Sequence, residues 1–118
     1  MVSVVVVDDD QDSVNIMSQY LKIKGVEVLG EGKDGKEAVE LYNELKPDVI
    51  VTDMKMPEYD GAYVINEVKK IDPKARIIIV TAYPEYGFDE KSVFATLIKP
   101  YNVEDLLDKI KEVEKLLV

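Results

Sequence analysis

Five short apolar runs, separated by longer stretches of mixed polarity, organise the whole chain. Each run is rich in Val, Ile or other apolar residues and is too short for a buried helix, so it predicts a strand. The runs stop abruptly at polar residues, as the first one does at Asp8. The predicted strands are Val2–Val7, Val26–Leu29, Val49–Thr52, Ile77–Val80 and Phe94–Ile98.

The stretches between these runs carry apolar residues at helical spacing, as Val14, Met17 and Leu21 show after the first run. The pattern over Pro84–Ser92 is weak, so the fourth helix is predicted to be short or irregular. The other helices are predicted from about Asp12 or Ser13 to Gly25, from the turn at Gly32–Gly35 to Pro47, from Gly61 to Ile71, and from the N-cap Asn102 to Val118.

Strands that alternate with helices and are buried on both faces indicate a parallel sheet, because parallel strands need crossover connections and those cover the sheet. The sequence therefore predicts an α/β fold, a doubly wound five-stranded parallel sheet with helices on both faces. No linker rich in Pro, Gly or Ser interrupts the pattern, so residues 1–118 are predicted to form one domain. In such a sheet, sites lie beyond the carboxyl ends of the strands.

Composition removes several classes of chemistry. The chain contains 0 Cys and 0 His. Disulfides, thiolate nucleophiles, zinc ribbons, imidazole metal ligands and triads that use His are therefore excluded. Any catalysis must use carboxylates, hydroxyls and lysines.

Charge and the N-terminal sequence predict where the protein works. The formal net charge is −9, from 24 acidic and 15 basic residues, which disfavours binding to a nucleic-acid backbone. The N-terminal apolar run is too short for a signal sequence or a membrane span, and no basic segment precedes it. We expect a soluble cytoplasmic protein that binds neither nucleic acid nor membrane.

Polar residues at the ends of the predicted strands bring one kind of chemistry to one edge of the sheet. They are Asp8 and Asp9, Asp53, Thr81 and Lys99. Three carboxylates in one place repel one another unless a cation lies among them, and without His or Cys a hard ion such as Mg²⁺ is the natural choice. Lys99 and Thr81 supply a positive charge and a hydroxyl. Such a set suits phosphoryl transfer onto a carboxylate.

Four motifs stand at these strand ends: VVVVDDD ending at Asp10, VIVTDMKMP ending at Pro57 and followed by Asp60-Gly61, IIIVTA ending at Ala82, and IKPY ending at Tyr101. In this order they resemble the receiver domains of two-component response regulators, and the resemblance covers essentially the whole chain. The implied fold is flavodoxin-like, or CheY-like.

The resemblance implies a role for each site residue. Asp53 would be the phosphoacceptor, taking a phosphoryl group from a histidine of a sensor histidine kinase or a phosphotransfer protein. Asp8, Asp9, Asp53 and the backbone carbonyl of Lys55 would hold Mg²⁺. Lys99 would pair with a phosphoryl oxygen.

The resemblance also implies how the signal leaves the site. Thr81 would hydrogen-bond the phosphoryl group and change the face formed by the fourth-helix segment, the fifth strand and the last helix, which controls a downstream protein. The Lys99–Pro100 bond is expected to be cis. Lys55 and Tyr83 would tune how quickly water reaches the phosphoryl group. The chain would not be an enzyme beyond its own phosphotransfer and dephosphorylation.

Two positions depart from the family pattern. Thr96 stands where the family has an aromatic residue that moves with the threonine, and Phe94 is a candidate for that role because it is predicted to share a strand face with Thr96. Thr81 and Lys99 are only 18 positions apart, which is shorter than in typical members. The segment between them is therefore expected to be truncated or rearranged.

Other functions stay open beside a stand-alone receiver, which we expect because the chain stops after its last predicted helix. A phosphorylation-independent scaffold with this fold is one of them. An aspartate-nucleophile phosphohydrolase is disfavoured because Lys55 occupies the position of its second acid, and no substrate-capping insert is present. A flavodoxin is disfavoured because no phosphate-binding loop follows the first strand.

Overall fold

The computed structural model describes residues 1–82 and 88–117. Within them, five strands alternate with four α-helices and one short 3₁₀ turn. The elements are β1 Ser3–Val7, α1 Gln11–Ile23, β2 Glu27–Gly32, α2 Gly35–Leu45, β3 Val49–Asp53, α3 Gly61–Ile71, β4 Ile77–Thr81, the 3₁₀ turn Glu90–Ser92, β5 Ala95–Ile98 and α4 Val103–Leu116.

The strands form one parallel sheet in the order β2-β1-β3-β4-β5. The chain moves outward from β1 to β2 and then crosses back to β3, so the order reverses between β1 and β3. The predicted doubly wound α/β architecture is confirmed. Reversal at this point opens a crevice at the carboxyl ends of β1 and β3, where such folds place their sites.

Side chains along the central strands point alternately to the two faces of the sheet, so the core forms two clusters, one on each face. Val4 and Val6 pack with apolar residues of α1 and α4, whereas Val5 and Val7 pack with those of α2 and α3. Every residue of β3 and β4 is buried. The edge strands β2 and β5 are mostly half-buried, because each has a neighbouring strand on one side only.

Each α-helix begins at a side chain that caps it. The capping carboxylates of Asp10, Asp34 and Asp60 and the amide of Asn102 accept hydrogen bonds from backbone N–H groups in the first turn. Such caps satisfy donors that have no partner within the helix. The predicted cap at Asn102 is confirmed, and α1 begins slightly earlier than predicted because Asp10 caps it.

Some boundaries differ from the sequence prediction. β2 begins at Glu27 and continues through Gly32, beyond the predicted end at Leu29, because the ladder with β1 continues through two glycines that carry no apolar signal. β5 begins at Ala95, one residue later than predicted.

Between β4 and β5, the described residues contain a single 3₁₀ turn at Glu90–Ser92. Tyr83 and the first part of the predicted fourth helix, residues 84–87, lie outside the described residues. In the part of the chain that the structure covers, no helix is long and apolar enough to cross a membrane.

Candidate functional site

The predicted site residues that end the strands lie together at one edge of the sheet. Asp53 and Thr81 are the last residues of β3 and β4, while Asp8 and Lys99 directly follow β1 and β5. Asp9 is next to Asp8. The strands are parallel, so their carboxyl ends meet at the same edge, and residues far apart in the sequence become neighbours.

Asp8, Asp9 and Asp53 form an acidic cluster, in which carboxylate oxygens from the three residues lie within 4.8 Å of one another. Asp8 and Asp53 are buried, with 5% and 8% of their surfaces exposed, whereas Asp9 is exposed. Mg²⁺ binds ligands at 2.0–2.1 Å in octahedral geometry, which places opposite ligands about 4.2 Å apart. The three oxygens therefore fit around one such ion after small shifts, and they are hard donors of the kind it prefers.

Lys99 supplies a positive charge within the cluster. Its Nζ lies 2.7 Å from Asp53 Oδ2 and 3.8 Å from Asp8 Oδ2. Burial alone would lower the pKa of the Lys99 ammonium, but the hydrogen bond and charge of Asp53, with the charge of Asp8, raise it above its usual value. Lys99 is therefore protonated at neutral pH. Three carboxylates and one ammonium leave a net charge of about −2, which a divalent cation balances.

The Asp8 carboxyl is the most perturbed acid of the cluster. Its pKa is raised from 3.8 to about 6, mainly by burial and also by the charge of Asp53 and a hydrogen bond with Asp9. The backbone N–H of Asp10, which donates to Asp8 Oδ1 at 3.0 Å, and the charge of Lys99 act in the opposite direction. A buried carboxylate with incomplete compensation is poised to bind a cation, since the cation relieves the cost of its charge.

The loop after β3 borders the other side of Asp53. The Lys55 backbone N–H donates to Asp53 Oδ1 at 3.4 Å, a long hydrogen bond. The Gly61 N–H donates to the Met54 carbonyl at 2.7 Å and closes the loop between β3 and α3. Lys55 is thereby held next to the acidic cluster.

Thr81 and Lys99 are tied to each other through the backbone. Thr81 is fully buried, and its carbonyl accepts a hydrogen bond from the Lys99 N–H at 2.8 Å. The Lys99–Pro100 peptide bond is cis, as predicted. The structure thus brings together all of the residues that the strand ends indicated.

A family model described as the response regulator receiver domain matches residues 4–111. The chain belongs to this family. It is therefore a CheY-like receiver domain of two-component signalling.

Similar proteins include receivers on their own and receivers within longer regulators. Chemotaxis protein CheY of Thermotoga maritima is 34% identical over 116 residues, which cover 95% of this chain and 97% of that protein. Response regulator protein VraR of Staphylococcus saprophyticus is 34% identical over 110 residues, covering 88% of this chain and 53% of that protein. This receiver domain thus spans about half the length of VraR.

Solved structures agree with the fold. Response regulator protein TrrA of Thermotoga maritima, in complex with Mg²⁺ and BeF, has a TM-score of 0.86 and 28% identity, over 96% of this chain and 99% of that one. A receiver domain protein from Clostridium thermocellum has a TM-score of 0.85 and 30% identity, with both chains fully covered.

The structure corrects one expectation about this receiver domain. Thr96 lies beside Ile79 on the face covered by α2 and α3. Phe94 precedes the first residue of the β5 ladder and packs against the opposite cluster, on the side of α1 and α4. The prediction that Phe94 and Thr96 share a face is wrong, because alternation between faces applies only inside the strand.

The sequence did not predict two contacts of the fold. Phe88 and Val93, between β4 and β5, pack against the cluster that contains Ile79. Gly35 at the start of α2 contacts the loop after β3, and nothing in the local pattern indicated this contact. Gly35 ends the predicted turn Gly32–Gly35, which indicated the start of a helix but not this contact.

Proposed function

We propose that this receiver domain is a phosphoacceptor module whose Asp53 takes a phosphoryl group from the phosphohistidine of a sensor histidine kinase or a phosphotransfer protein. The observation that carries the proposal is the pairing of a buried carboxylate with Lys99 Nζ at 2.7 Å, inside a cluster of three acids. Asp53 forms the new P–O bond while the P–N bond of the donor breaks. The electron pair of that bond returns to the imidazole nitrogen of the donor.

The residues that would hold the metal are Asp8, Asp9 and Asp53, together with the backbone carbonyl of Lys55. Bound Mg²⁺ supplies charge neutralisation for the phosphoryl oxygens and the acceptor. Asp8 is buried, so its carboxylate is held in place by the surrounding protein, whereas Asp9 is exposed to solvent.

Lys99 and Thr81 act on the transferred group. Lys99 already lies at hydrogen-bond distance from Asp53, so its ammonium can exchange this contact for one with a phosphoryl oxygen once the carboxylate is phosphorylated. Thr81 lies at the end of the neighbouring strand, in register with Ile98. Movement of the Thr81 hydroxyl toward the phosphoryl group would alter β5 and the adjoining surface, where a downstream protein binds.

The test is intact-mass spectrometry after incubation with acetyl phosphate or phosphoramidate and Mg²⁺. We expect a Mg²⁺-dependent gain of one phosphoryl group, about 80 Da, in the wild type and none in Asp53→Asn. Asp48→Asn is a matched control, because Asp48 is engaged with Ser3 through contacts of 2.9 and 3.1 Å, away from this edge. A wild type that stays unlabelled would refute the proposal.

A phosphorylation-independent scaffold is the second candidate, favoured by Thr96 in place of the aromatic and by the position of Phe94. Amide chemical shifts of β4 and β5, recorded with Mg²⁺ and beryllium fluoride, separate the two functions. Shift changes that spread from Thr81 along β5 support the phosphoacceptor switch. Changes confined to the acidic cluster support the scaffold.

A further inference from the structure

The loop between β3 and α3, residues 54–60, contacts the body of the protein at both of its ends. It contains Lys55, whose backbone carbonyl belongs to the proposed metal site. A glycine stands at each contact: Gly61 at the start of α3 and Gly35 at the start of α2. Gly61 adjoins the loop in sequence, whereas Gly35 reaches it only through the fold.

Gly35 contacts the backbone of the loop directly. Its N–H donates to the Tyr59 carbonyl at 2.9 Å. A Cβ atom added to Gly35 would lie 2.5 Å from the Tyr59 carbonyl oxygen, 2.8 Å from its carbonyl carbon and 2.9 Å from its Cβ. These distances are far shorter than van der Waals contact. Two of the atoms belong to the backbone and the third, Cβ, is fixed by it, so no change of rotamer relieves the overlap. Any side chain at this position therefore displaces the loop or the helix.

The opposite end of the loop is equally close. A Cβ on Gly61 would lie 2.7 Å from Met54 Cα and 2.9 Å from the Asp53 carbonyl oxygen. Inside the loop, the Tyr59 N–H donates to the Pro57 carbonyl at 2.7 Å, and the Met56 side chain is buried. The loop is thus held at both ends. A displacement of Tyr59 should therefore also move the backbone of Lys55.

We propose that Gly35 is a positioning residue for the metal site. The first residue of α2 sets the position of Tyr59, and through the loop it sets the Lys55 carbonyl relative to the acidic cluster. This inference rests on the proposed function, because Lys55 matters here as a metal ligand. It adds α2 to the elements that shape the site, although α2 contributes no ligand.

The test compares Gly35→Ala with Gly30→Ala in an NMR titration with Mg²⁺ alone. Gly30 is a matched control: the same added methyl also faces α2, but it meets only the ends of Leu41 and Leu45, at 3.2 Å. We expect Gly35→Ala to weaken Mg²⁺ binding about 10-fold, at the low end of effects seen for partners of metal ligands, with shifted amides across residues 54–59. Gly30→Ala should bind as the wild type does. Saturating Mg²⁺ should restore labelling of Gly35→Ala by acetyl phosphate.

The outcomes separate this inference from the proposed function. Equal Mg²⁺ affinity of Gly35→Ala and the wild type overturns the inference alone, whereas a wild type that binds no Mg²⁺ overturns both. If Gly35→Ala does not fold, the single variant Tyr59→Gly leaves Gly35 unchanged and loosens the loop at the same contact. We expect this variant to fold with weakened Mg²⁺ binding, and wild-type affinity in it would overturn the inference.

Discussion

The buried Asp8 carboxylate is expected to destabilise the metal-free protein at neutral pH, and Asp8→Asn should remove this effect. Asp8 is 5% exposed, and burial raises its pKa from 3.8 to about 6. A rise of about two pKa units corresponds to about 3 kcal/mol, at 1.36 kcal/mol for each unit. The Asn amide keeps an oxygen that can accept from the Asp10 N–H, so the substitution removes charge at nearly constant shape.

The sign follows from proton linkage. The folded state holds the Asp8 proton more tightly than the unfolded state, so the associated stability is present below the unfolded pKa of 3.8 and is lost as pH rises through about 6. Asp8→Asn lacks this dependence. We therefore expect its free energy of unfolding to exceed that of the wild type by about 3 kcal/mol at pH 8, and by about half as much at pH 5.

Urea denaturation at both pH values, without metal, measures the two differences. Asp108→Asn is the control, because the Asp108 side chain is exposed on α4 and the substitution should change stability by about 0.5 kcal/mol or less. Adding Mg²⁺ at ten times its dissociation constant should stabilise the wild type by about 1.4 kcal/mol and leave Asp8→Asn nearly unchanged. Equal stabilities of wild type and Asp8→Asn at pH 8, or a difference that does not narrow at pH 5, would refute the reasoning.

Three further substitutions probe other contacts. Lys99→Met removes the ammonium 2.7 Å from Asp53. Mg²⁺ should then bind at least as tightly as in the wild type by calorimetry, while labelling by acetyl phosphate is lost. Weaker Mg²⁺ binding would contradict this. Thr81→Ala should still gain one phosphoryl group from acetyl phosphate but lose the changes in β5 amide shifts caused by Mg²⁺ and beryllium fluoride. Unchanged shift changes would exclude Thr81 as the switch. Lys46→Gly should raise the free energy of unfolding by about 1 kcal/mol, seen as a higher urea midpoint, because Lys46 caps the C-terminus of α2 in the left-handed conformation with φ 47°. A lower midpoint argues against strain there.

Much of the fold follows from local pattern. Four β-branched and apolar runs predicted all of β1 and β5, and β3 and β4 up to their last residue, since a strand buried on both faces needs apolar residues at nearly every position. β2 was predicted too short because Gly30 and Gly32 carry no apolar side chain. Their pairing with β1 depends on a ladder between strands rather than on their own preference.

The candidate site was predictable for a topological reason. Parallel strands bring their carboxyl ends to one edge, so Asp8, Asp53 and Lys99 could be placed together without knowledge of the strand order. Phe94 shows where this reasoning stops. Phe94 is two positions before Thr96, which implies a shared face only if both residues belong to the strand. The paired residues of β5 begin at Ala95.

The amino-acid sequence by itself determined which residues could act: acids, a lysine and a threonine at strand ends, with no His or Cys to offer other chemistry. Only the tertiary structure decided their distances, such as the 2.7 Å between Lys99 and Asp53, and the contact of Gly35 with Tyr59. Strand pairing is local enough to leave a periodic signal in the sequence. Contacts between α2 and a loop 24 residues later depend on how whole elements pack, and packing leaves no such signal.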